Sequence, residues 1–376
     1  MSHIDDNQSP FNIIHEEIID EYLKDHSCPW VIGFSGGKDS TLVVHLVYEI
    51  LLSLPPSQRK RQVHIVANDT LVESPLVVQH IIQRLDEIDK SAKIFDLPVK
   101  TKITNPEESQ TFWVNIIGRG YPLPNQNFRW CTDRMKIRPT SRYIESLSND
   151  AGKAILLLGV RRTESISRGV SVSRYDNGNR LHNHPNLKGC MVFRPIIELS
   201  SDDVWEYLAL NDPPWGSTHQ QLILLYRNAN GGECPVITSK DETPSCGTTS
   251  SRFGCWTCSV VAKDRSLEGF VESGFYEFSP LLDFRDWLIS IRNDKTRRLA
   301  RRRDGRITIT NSGKLIPGPF TLETRVEILE RLHLLEKKTG KSLISAKEVE
   351  IIHSIWSMEI KNNSKPSSLT VREMQR

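Results

Sequence analysis

Along the first 160 positions, short continuous apolar runs alternate with longer stretches in which apolar residues return every three or four places. Ser9-Pro10 supplies an N-cap and an N1 proline, and Phe11, Ile14, Ile18 and Tyr22 follow at helical spacing, which predicts an opening helix to about Lys24. The run 29–34 has the length of a buried strand and ends in a glycine loop. Residues 41–54 then read as a buried helix stopped by Pro55-Pro56. The alternation goes on with strands at 63–67, 99–103 and 154–160 and helices at 76–88, 107–117 and 132–147, a loop at 121–128 preceding the last of these. This pattern predicts an α/β fold, a parallel twisted sheet with helices on both faces. Strand ends on such a sheet converge on one ligand crevice.

Beyond Arg161 the pattern loosens. Residues 171–188 are polar and read as a mobile loop. A helix over 201–210 is capped by Ser200-Ser201-Asp202-Asp203, and 231–263 are rich in Cys, Gly, Ser and Thr, the texture of an insert held by a ligand. The C-terminal part predicts a basic helix near 283–303 with Trp287 and Leu288 as its core anchors, a hairpin around Asn311-Ser312-Gly313, and helices over 322–338 and 346–360. Ser345 and Glu348 form a capping box for the last. These textures divide the chain at 1–220, 221–265 and 266–376, with a cysteine-rich insert in the middle and a basic, mainly helical C-terminal domain.

Composition narrows the class. A hydrophobic content of 38%, 25% charged residues and a mean hydropathy of −0.39 suit a globular chain rather than a disordered one. No apolar run has the length of a bilayer span, so no membrane partner is expected, and the polar, acidic start lacks a secretory pattern, so a cytoplasmic location is expected. Seven cysteines there point to thiols, metal ligands or redox groups. The net charge of +3 says little about partners, but between Arg292 and Arg306 eight Lys/Arg stand against Asp294 and Asp304. A local excess of that size suits nucleic-acid phosphates, and equally a solvated face or a protein partner.

The loop Ser35-Gly36-Gly37-Lys38-Asp39-Ser40-Thr41 lies between a buried strand and a helix, where backbone N–H groups can point at an anion and the glycines let the backbone come close. It is not a Walker A loop, because Lys38 is followed by Asp39. It matches the PP-loop of the N-type ATP pyrophosphatases. That resemblance implies an adenine nucleotide alpha hydrolase-like fold, with Ser35, Gly36, Gly37, Asp39 and Ser40 around the pyrophosphate part of ATP, charge from Lys38, and a magnesium ion. Gly159-Val160-Arg161-Arg162-Thr163-Glu164-Ser165 with Arg168 resembles a segment of the phosphoadenosine-phosphosulfate (PAPS) reductase subgroup, where arginines meet anionic substrates. Asn68-Asp69-Thr70 follows the second strand. Asp69 and Glu73 are placed to serve nucleotide or metal, or to act as helix-terminal carboxylates.

Cys255-Trp256-Thr257-Cys258 is a C-x-x-C, with Cys246 nine positions before it and Cys234 twelve before that. Four thiolates suit tetrahedral zinc or an iron-sulfur cube, and the presence of one knuckle rather than two favours the cluster. Cys131, in Arg129-Trp130-Cys131-Thr132 ahead of Lys136 and Pro139, resembles a reductase segment that carries two cysteines. It competes with Cys234 or Cys246 as a ligand, or carries a persulfide with its pKa lowered by the helix N-terminus, Arg129 and Arg134. Cys28 and Cys190 read as packing residues, and His182, His184 and Cys190 as a weaker zinc alternative.

Taken together, the loop, the Arg-Arg-Thr-Glu-Ser segment and the run from Gly254 to Val261 resemble the DndC family, the sulfurtransferases of bacterial DNA phosphorothioation. The resemblance implies ATP, magnesium and a [4Fe-4S] cluster as cofactors, and DNA, a cysteine desulfurase and other Dnd proteins as partners. It makes Lys38, Asp39, Cys131, Arg161 and Arg168 the candidate catalytic residues. Ser35 to Thr41, Asp69, Gly159 and Arg161 are the candidate nucleotide contacts, and Cys234, Cys246, Cys255 and Cys258 the candidate metal ligands. A PAPS-type reductase, a tRNA thiolase and a nucleotide-gated DNA-binding subunit without turnover are the alternatives.

Overall fold

The computed structural model describes residues 9–164, 179–229, 253–310, 313 and 315–362. The contacts group into two compact units that interleave along the chain. Unit 1 is Met1–Asn68, Pro75–Thr104 and Thr140–Phe253, and unit 2 is Asp69–Ser74, Asn105–Pro139 and Gly254–Arg376. This differs from the sequential division at 220 and 265. The segment 221–229 stays with the sheet, and two excursions from the N-terminal half join the C-terminal residues.

Unit 1 is built on helix α1 (Pro10–Tyr22), strand β1 (Trp30–Gly33), α2 (Lys38–Ser53), β2 (Val63–Asn68), α3 (Pro75–Ile94) and β3 (Val99–Thr104). It continues with α4 (Arg138–Ala151), which begins in unit 2, and then β4 (Ala154–Leu157), β5 (Leu181–Asn183), β6 (Cys190–Phe193), α5 (Ser201–Leu210) and α6 (Gln220–Ala229). The strands form one sheet in the order β3-β2-β1-β4-β6-β5. All neighbours are parallel except β5 with β6. The expected α/β architecture is therefore present. Every residue of β4 is buried, as are the first three of β1 and the first five of β2, which is why these strands read as continuous apolar runs rather than alternating ones. Val31, Val66, Ile144, Ala154, Leu156 and Cys190 share one core cluster, so Cys190 packs as expected. Strand order reverses at β1, which has β2 on one side and β4 on the other, and ligands of doubly wound sheets bind beside such a switch point.

Unit 2 is mainly helical. Its helices are α7 (Arg265–Glu272), α8 (Ser279–Ile291), α9 (Leu322–Thr339) and α10 (Ala346–Asn362), with a small hairpin of β7 (Thr308–Ile309) and β8 (Leu315–Ile316). Trp113, Trp256 and Phe284 pack ring against ring at 5.9–6.1 Å. The helix expected over 107–117 is instead a 3-10 turn (Glu108–Gln110) and a π-helical turn (Val114–Gly118). Tertiary partners take over its backbone: Trp356 donates to the Ile117 carbonyl at 2.9 Å and Arg325 to that of Gly118 at 2.7 Å. The basic helix expected to reach residue 303 stops at Ile291. Arg298 forms a bridge with Phe320 and donates to the carbonyls of Arg292 and Gly318, so the chain beyond 291 is tied to the segment that follows the hairpin. The Ser345–Glu348 capping box is present, with Ser345 N–H donating to Glu348 at 2.8 Å and Glu348 N–H to Ser345 Oγ at 3.2 Å. Leu288 is buried as expected, and Trp287 is half-buried beneath the Arg331 guanidinium, 4.2 Å from its ring centre. Among the described residues no helix is long and apolar enough to cross a membrane.

Candidate functional site

The loop after β1 occupies the switch point of unit 1. Helix α2 begins at Lys38, three residues before the expected start, so Lys38, Asp39 and Ser40 form its first turn. Its N-cap, Gly37, is extended and provides no side-chain cap. A 16-residue helix therefore presents the positive end of its dipole at the loop with no cap from its own N-cap residue, the standard means of holding a phosphate. Side chains brace the turn. Ser35 N–H donates to Ser40 Oγ at 3.2 Å, and Ser40 Oγ donates to the Gly37 carbonyl at 2.9 Å. Gly36 has φ +73°, and a Cβ there would stand 2.6 Å from Ile81 Cγ1, so only glycine fits this step of the turn.

The segment after β4 meets the same helix. Arg161, 5% exposed, donates from Nε to Asp39 Oδ1 at 2.6 Å, and Lys38 Nζ reaches that oxygen at 2.9 Å. Arg161 also donates to Thr163 Oγ1. Two cations thus share one carboxylate at the helix N-terminus. Gly159 is required by contact: an added Cβ would lie 2.6 Å from the Asp39 carbonyl oxygen and 2.9 Å from Ser40 N. The Thr41 hydroxyl is buried and makes no hydrogen bond. Asp39 and Thr41 therefore offer hard oxygen donors of the kind magnesium takes, and the donor set fits that ion. Arg168 lies outside the described residues.

Two residues of this site escaped the sequence reading. Tyr226, on α6, accepts the Lys38 N–H at 3.2 Å and stands 3.1 Å from where a Gly37 Cβ would be. His80, on α3, is buried and lies against Gly36, its Nε2 without a partner. Neither sits in a motif, since their positions come from how α3 and α6 pack. Behind the loop, His45 is hydrogen-bonded to His219 at 3.1 Å and to Glu49 at 3.0 Å, and Glu49 also accepts from Tyr207 at 2.6 Å.

Burial, reinforced for His80 by Arg84 and for His219 by His45 and Arg84, lowers the pKa of His80 to about 4 and of His219 to about 3. Both are neutral in the native protein at pH 7. As the pH drops below about 6.5 the unfolded chain binds a proton at each position that the native state refuses. Stability should therefore fall with falling pH, from about pH 6.5 toward 4, by about 1.4 kcal/mol per pH unit for each histidine. Urea unfolding at a series of pH values tests this. His80→Leu should flatten the slope, and a wild-type profile that is flat in this window contradicts it.

Cys131, Cys255 and Cys258 lie in unit 2. Val72 to Ser74 pairs with Gly254 to Trp256 through Ser74 N–H to the Gly254 carbonyl, Trp256 N–H to the Val72 carbonyl and a Glu73–Cys255 bridge. Trp256, 2% exposed, anchors the C-x-x-C in the aromatic core, and Cys258 N–H closes the turn on the Cys255 carbonyl. Cys131 stands in a short helical turn (Trp130–Thr132) leading into a π-helical turn (Asp133–Ile137). Charge on Cys258 bears on Cys131 and Cys255, and charge on Cys255 and Cys131 bears on Lys136. Lys136 pairs with Glu73 at 2.8 Å, and against the cost of burial Cys255, Glu73 and Cys131 hold it above its ordinary range. The expected lowering of the Cys131 pKa is not found: burial pushes this thiol up, as it does Cys255.

Asp69 belongs to unit 2. Its carboxylate accepts the Leu71 N–H at 2.8 Å, which shapes a turn with Leu71 at φ +64°, and burial raises its pKa. Glu73 accepts from Thr70 and pairs with Lys136. Cys234 and Cys246 lie outside the described residues. Among the described residues no three His, Cys, Asp or Glu side chains assemble a metal site, including His182, His184 and Cys190. Cys131, Cys255 and Cys258 are therefore not assembled as a three-thiol metal site among the described residues.

The basic segment is put to several uses. Arg298, 4% exposed, is spent on backbone carbonyls, and burial lowers its pKa to about 10. Arg297 pairs with Glu327 and Arg306 with Asp304. Arg292, Arg298, Arg302 and Arg303 line a cavity of about 800 Å³ in unit 2, Arg292 also donating to the Ser259 carbonyl at 2.9 Å.

Comparison with known proteins agrees with this arrangement. Over 193 residues the chain is 23% identical to an uncharacterized protein of Methanocaldococcus jannaschii, a match covering 51% of this chain and 34% of that protein. The chain thus spans about a third of the length of that curated relative. Similar solved structures include a phosphoadenylyl-sulfate (PAPS) reductase of Candida auris, at 14% identity and TM-score 0.34 over 55% of this chain and 80% of that one. The U34-tRNA thiolase NcsA of Methanococcus maripaludis, with its [4Fe-4S] cluster, matches at 14% and 0.31 over 56% and 70%. An NH3-dependent NAD synthetase of Campylobacter jejuni matches at 16% and 0.34 over 56% and 76%. The profile of the phosphoadenosine phosphosulfate reductase domain matches residues 29–261, a span that begins at β1 and takes in the phosphate loop, Arg161, Cys131 and the C-x-x-C. With more than half of its length so matched, the chain belongs to the phosphoadenosine phosphosulfate reductase domain family.

Proposed function

We propose that the chain is an ATP-dependent sulfurtransferase of the DndC type, which activates a DNA backbone phosphate and replaces one of its oxygens with sulfur. The observation that carries the ATP half is the N-terminus of α2 directly after the glycine loop, with Lys38 and Arg161 gathered on Asp39. The triphosphate would lie on the loop amides, and both cations would turn from Asp39 to the phosphate oxygens. Attack by a phosphodiester oxygen on the α-phosphorus breaks the bond to the β-phosphate, leaves AMP on the DNA phosphate and releases pyrophosphate. Lys38, Arg161 and the helix dipole stabilise the charge that builds on the leaving group. Asp39 and Thr41 would hold magnesium, which supplies further charge neutralisation.

For the sulfur half, a cysteine desulfurase would load a persulfide on Cys131. Its terminal sulfur attacks the activated phosphorus and expels AMP. A thiol reductant then attacks Cys131 Sγ, which breaks the S–S bond and frees the phosphorothioate. Lys136 stabilises the sulfur anions of this sequence. Cys255 and Cys258, with Cys234 and Cys246, would hold an iron-sulfur cluster, which supplies a thiophilic centre when bound. A PAPS-type reductase is disfavoured by the single cysteine at 131 and by the arginines beyond Ile291.

The test is pyrophosphate release together with mass spectrometry of nuclease-digested DNA, with ATP, a desulfurase, cysteine and a thiol reductant present. Wild-type protein is expected to yield phosphorothioate dinucleotides. Cys131→Ser should lose them while retaining DNA-dependent pyrophosphate release. Sulfur found in tRNA instead, or sulfite released from PAPS, would assign the chain to one of the alternative activities, and binding of DNA without pyrophosphate release would make it a non-catalytic subunit.

A further inference from the structure

The cavity of about 800 Å³ in unit 2 is not used by the chemistry above. Its wall combines aromatic faces and guanidinium groups, Tyr121 and Phe128 with Arg302 and Arg303, and Asn127 and Pro317 are among the remaining lining. We propose that it receives one unpaired nucleotide of a nucleic-acid strand, its base against Tyr121 and Phe128 and its phosphate on Arg302 and Arg303. This rests on the reading of DNA as substrate, but not on the sulfur chemistry.

Charge is the first argument. Among the described residues no carboxylate pairs with Arg119, Arg134, Arg302 or Arg303, although Arg119, Arg134 and Arg303 crowd around Tyr121. Arg134 and Arg303 lie 5.1 and 5.8 Å from its ring centre. Burial and the charges of Arg303 and Arg134 lower the pKa of Arg119, as expected of cations pressed together without an anion. Arg303 gives one N–H to the Arg119 carbonyl at 3.1 Å and keeps its other donors for a ligand. Asp304, the one acid in the lining, is occupied by Arg306 at 2.7 Å.

Shape is the second. Phe128 is 46% exposed at the cavity, in a turn fixed by Asn125 Oδ1, which accepts the N–H groups of Asn127 and Phe128 at 2.9 and 3.0 Å. A rigidly held, exposed aromatic beside arginines is a stacking platform for a base. A volume within the range of small-molecule sites holds a whole nucleotide, whereas a duplex offers phosphates to a surface and keeps its bases stacked away. The cavity therefore fits a strand with an unpaired or extruded base better than intact duplex.

The experiment is fluorescence anisotropy of full-length protein with a short labelled single strand, its duplex, and AMP or dAMP as competitor, without ATP. Phe128→Ala should weaken single-strand binding about tenfold or more, with duplex binding unchanged and Phe128→Trp restoring affinity. Arg302→Ala and Arg303→Ala should each lower the salt slope by about one. Phe128 is exposed, so an unchanged Tm is expected and would separate lost contacts from misfolding. Wild-type affinity in all three alanine variants overturns the proposal. Equal weakening of duplex and single strand by Phe128→Ala overturns the unpaired-base mode, and full competition by the mononucleotide at matching affinity makes this a small-nucleotide site instead. Strand binding through these residues without phosphorothioate formation keeps this proposal while the sulfurtransferase reading fails. Phosphorothioate formation undiminished in the alanine variants has the reverse meaning.

Discussion

Arg161→Ala is expected to lower kcat/KM for pyrophosphate release by about 100- to 1,000-fold, the range for removing one preorganised donor from a site of developing charge. The guanidinium is buried beside Asp39 and shares that carboxylate with Lys38. Its loss leaves Asp39 paired and the helix intact, so the fold should survive. Arg161→Lys should recover only part of the activity, because a point charge on a flexible stem does not reproduce the planar fork that reaches Asp39 and Thr163 together. The measurement is ATP-dependent pyrophosphate release by protein whose Tm matches wild type. A rate within a few-fold of wild type would remove Arg161 from the phosphate site.

Gly159→Ala should be as damaging, by a different route. The new methyl group would stand 2.6 Å from the Asp39 carbonyl oxygen and 2.7 Å from its carbon. These are backbone atoms of the first turn of α2 and cannot swing aside as a side chain would. Either that turn or the segment after β4 must move, at about 1–3 kcal/mol for overpacking, and the loop amides move with it. Loss of detectable ATP binding by calorimetry, with a lowered Tm, is the expected result. At Gly37 the protein itself is more forgiving: an added methyl group meets only the Tyr226 hydroxyl at 3.1 Å and Ser35 Oγ at 3.6 Å, both at the ends of side chains. Tight ATP binding by Gly159→Ala would show that the approach of the two segments is not what shapes the site.

Much of unit 1 was legible along the chain, because its signals are local. The runs at β1 and β4 are apolar throughout, and that at β2 is apolar but for His64 and the terminal Asn68, because those strands are buried on both faces. The break from such a run into Ser35-Gly36-Gly37 marks where a backbone must turn and approach an anion, and Ser9-Pro10 and Ser345 with Glu348 announce helix starts through groups a few residues apart. The C-x-x-C also declared itself, since two thiols at that spacing suit few purposes other than metal or redox chemistry. The basic stretch from Arg292 to Arg306 was legible as charge but not as shape. Its composition suits a helix, yet Arg298 finds the carbonyls of residues 292 and 318, and those long-range bonds outweigh local propensity.

What only the tertiary structure decided depends on residues far apart in sequence. His80 and Tyr226 come to the loop because α3 and α6 pack there, and no pattern within either helix reports it. The same is true of Cys131. Its place before a helix suggested a lowered pKa, but its ionisation is set by how much water the fold removes, and burial wins over the helix end. The interleaving of the units has this origin as well: Asp69 to Ser74 leaves the sheet to pair with Gly254 to Trp256. Local sequence thus determined the strands, the helix caps and the phosphate loop, where partners lie within a few bonds. Packing decided which thiols, arginines and histidines gather around one another, because burial and charge act through space.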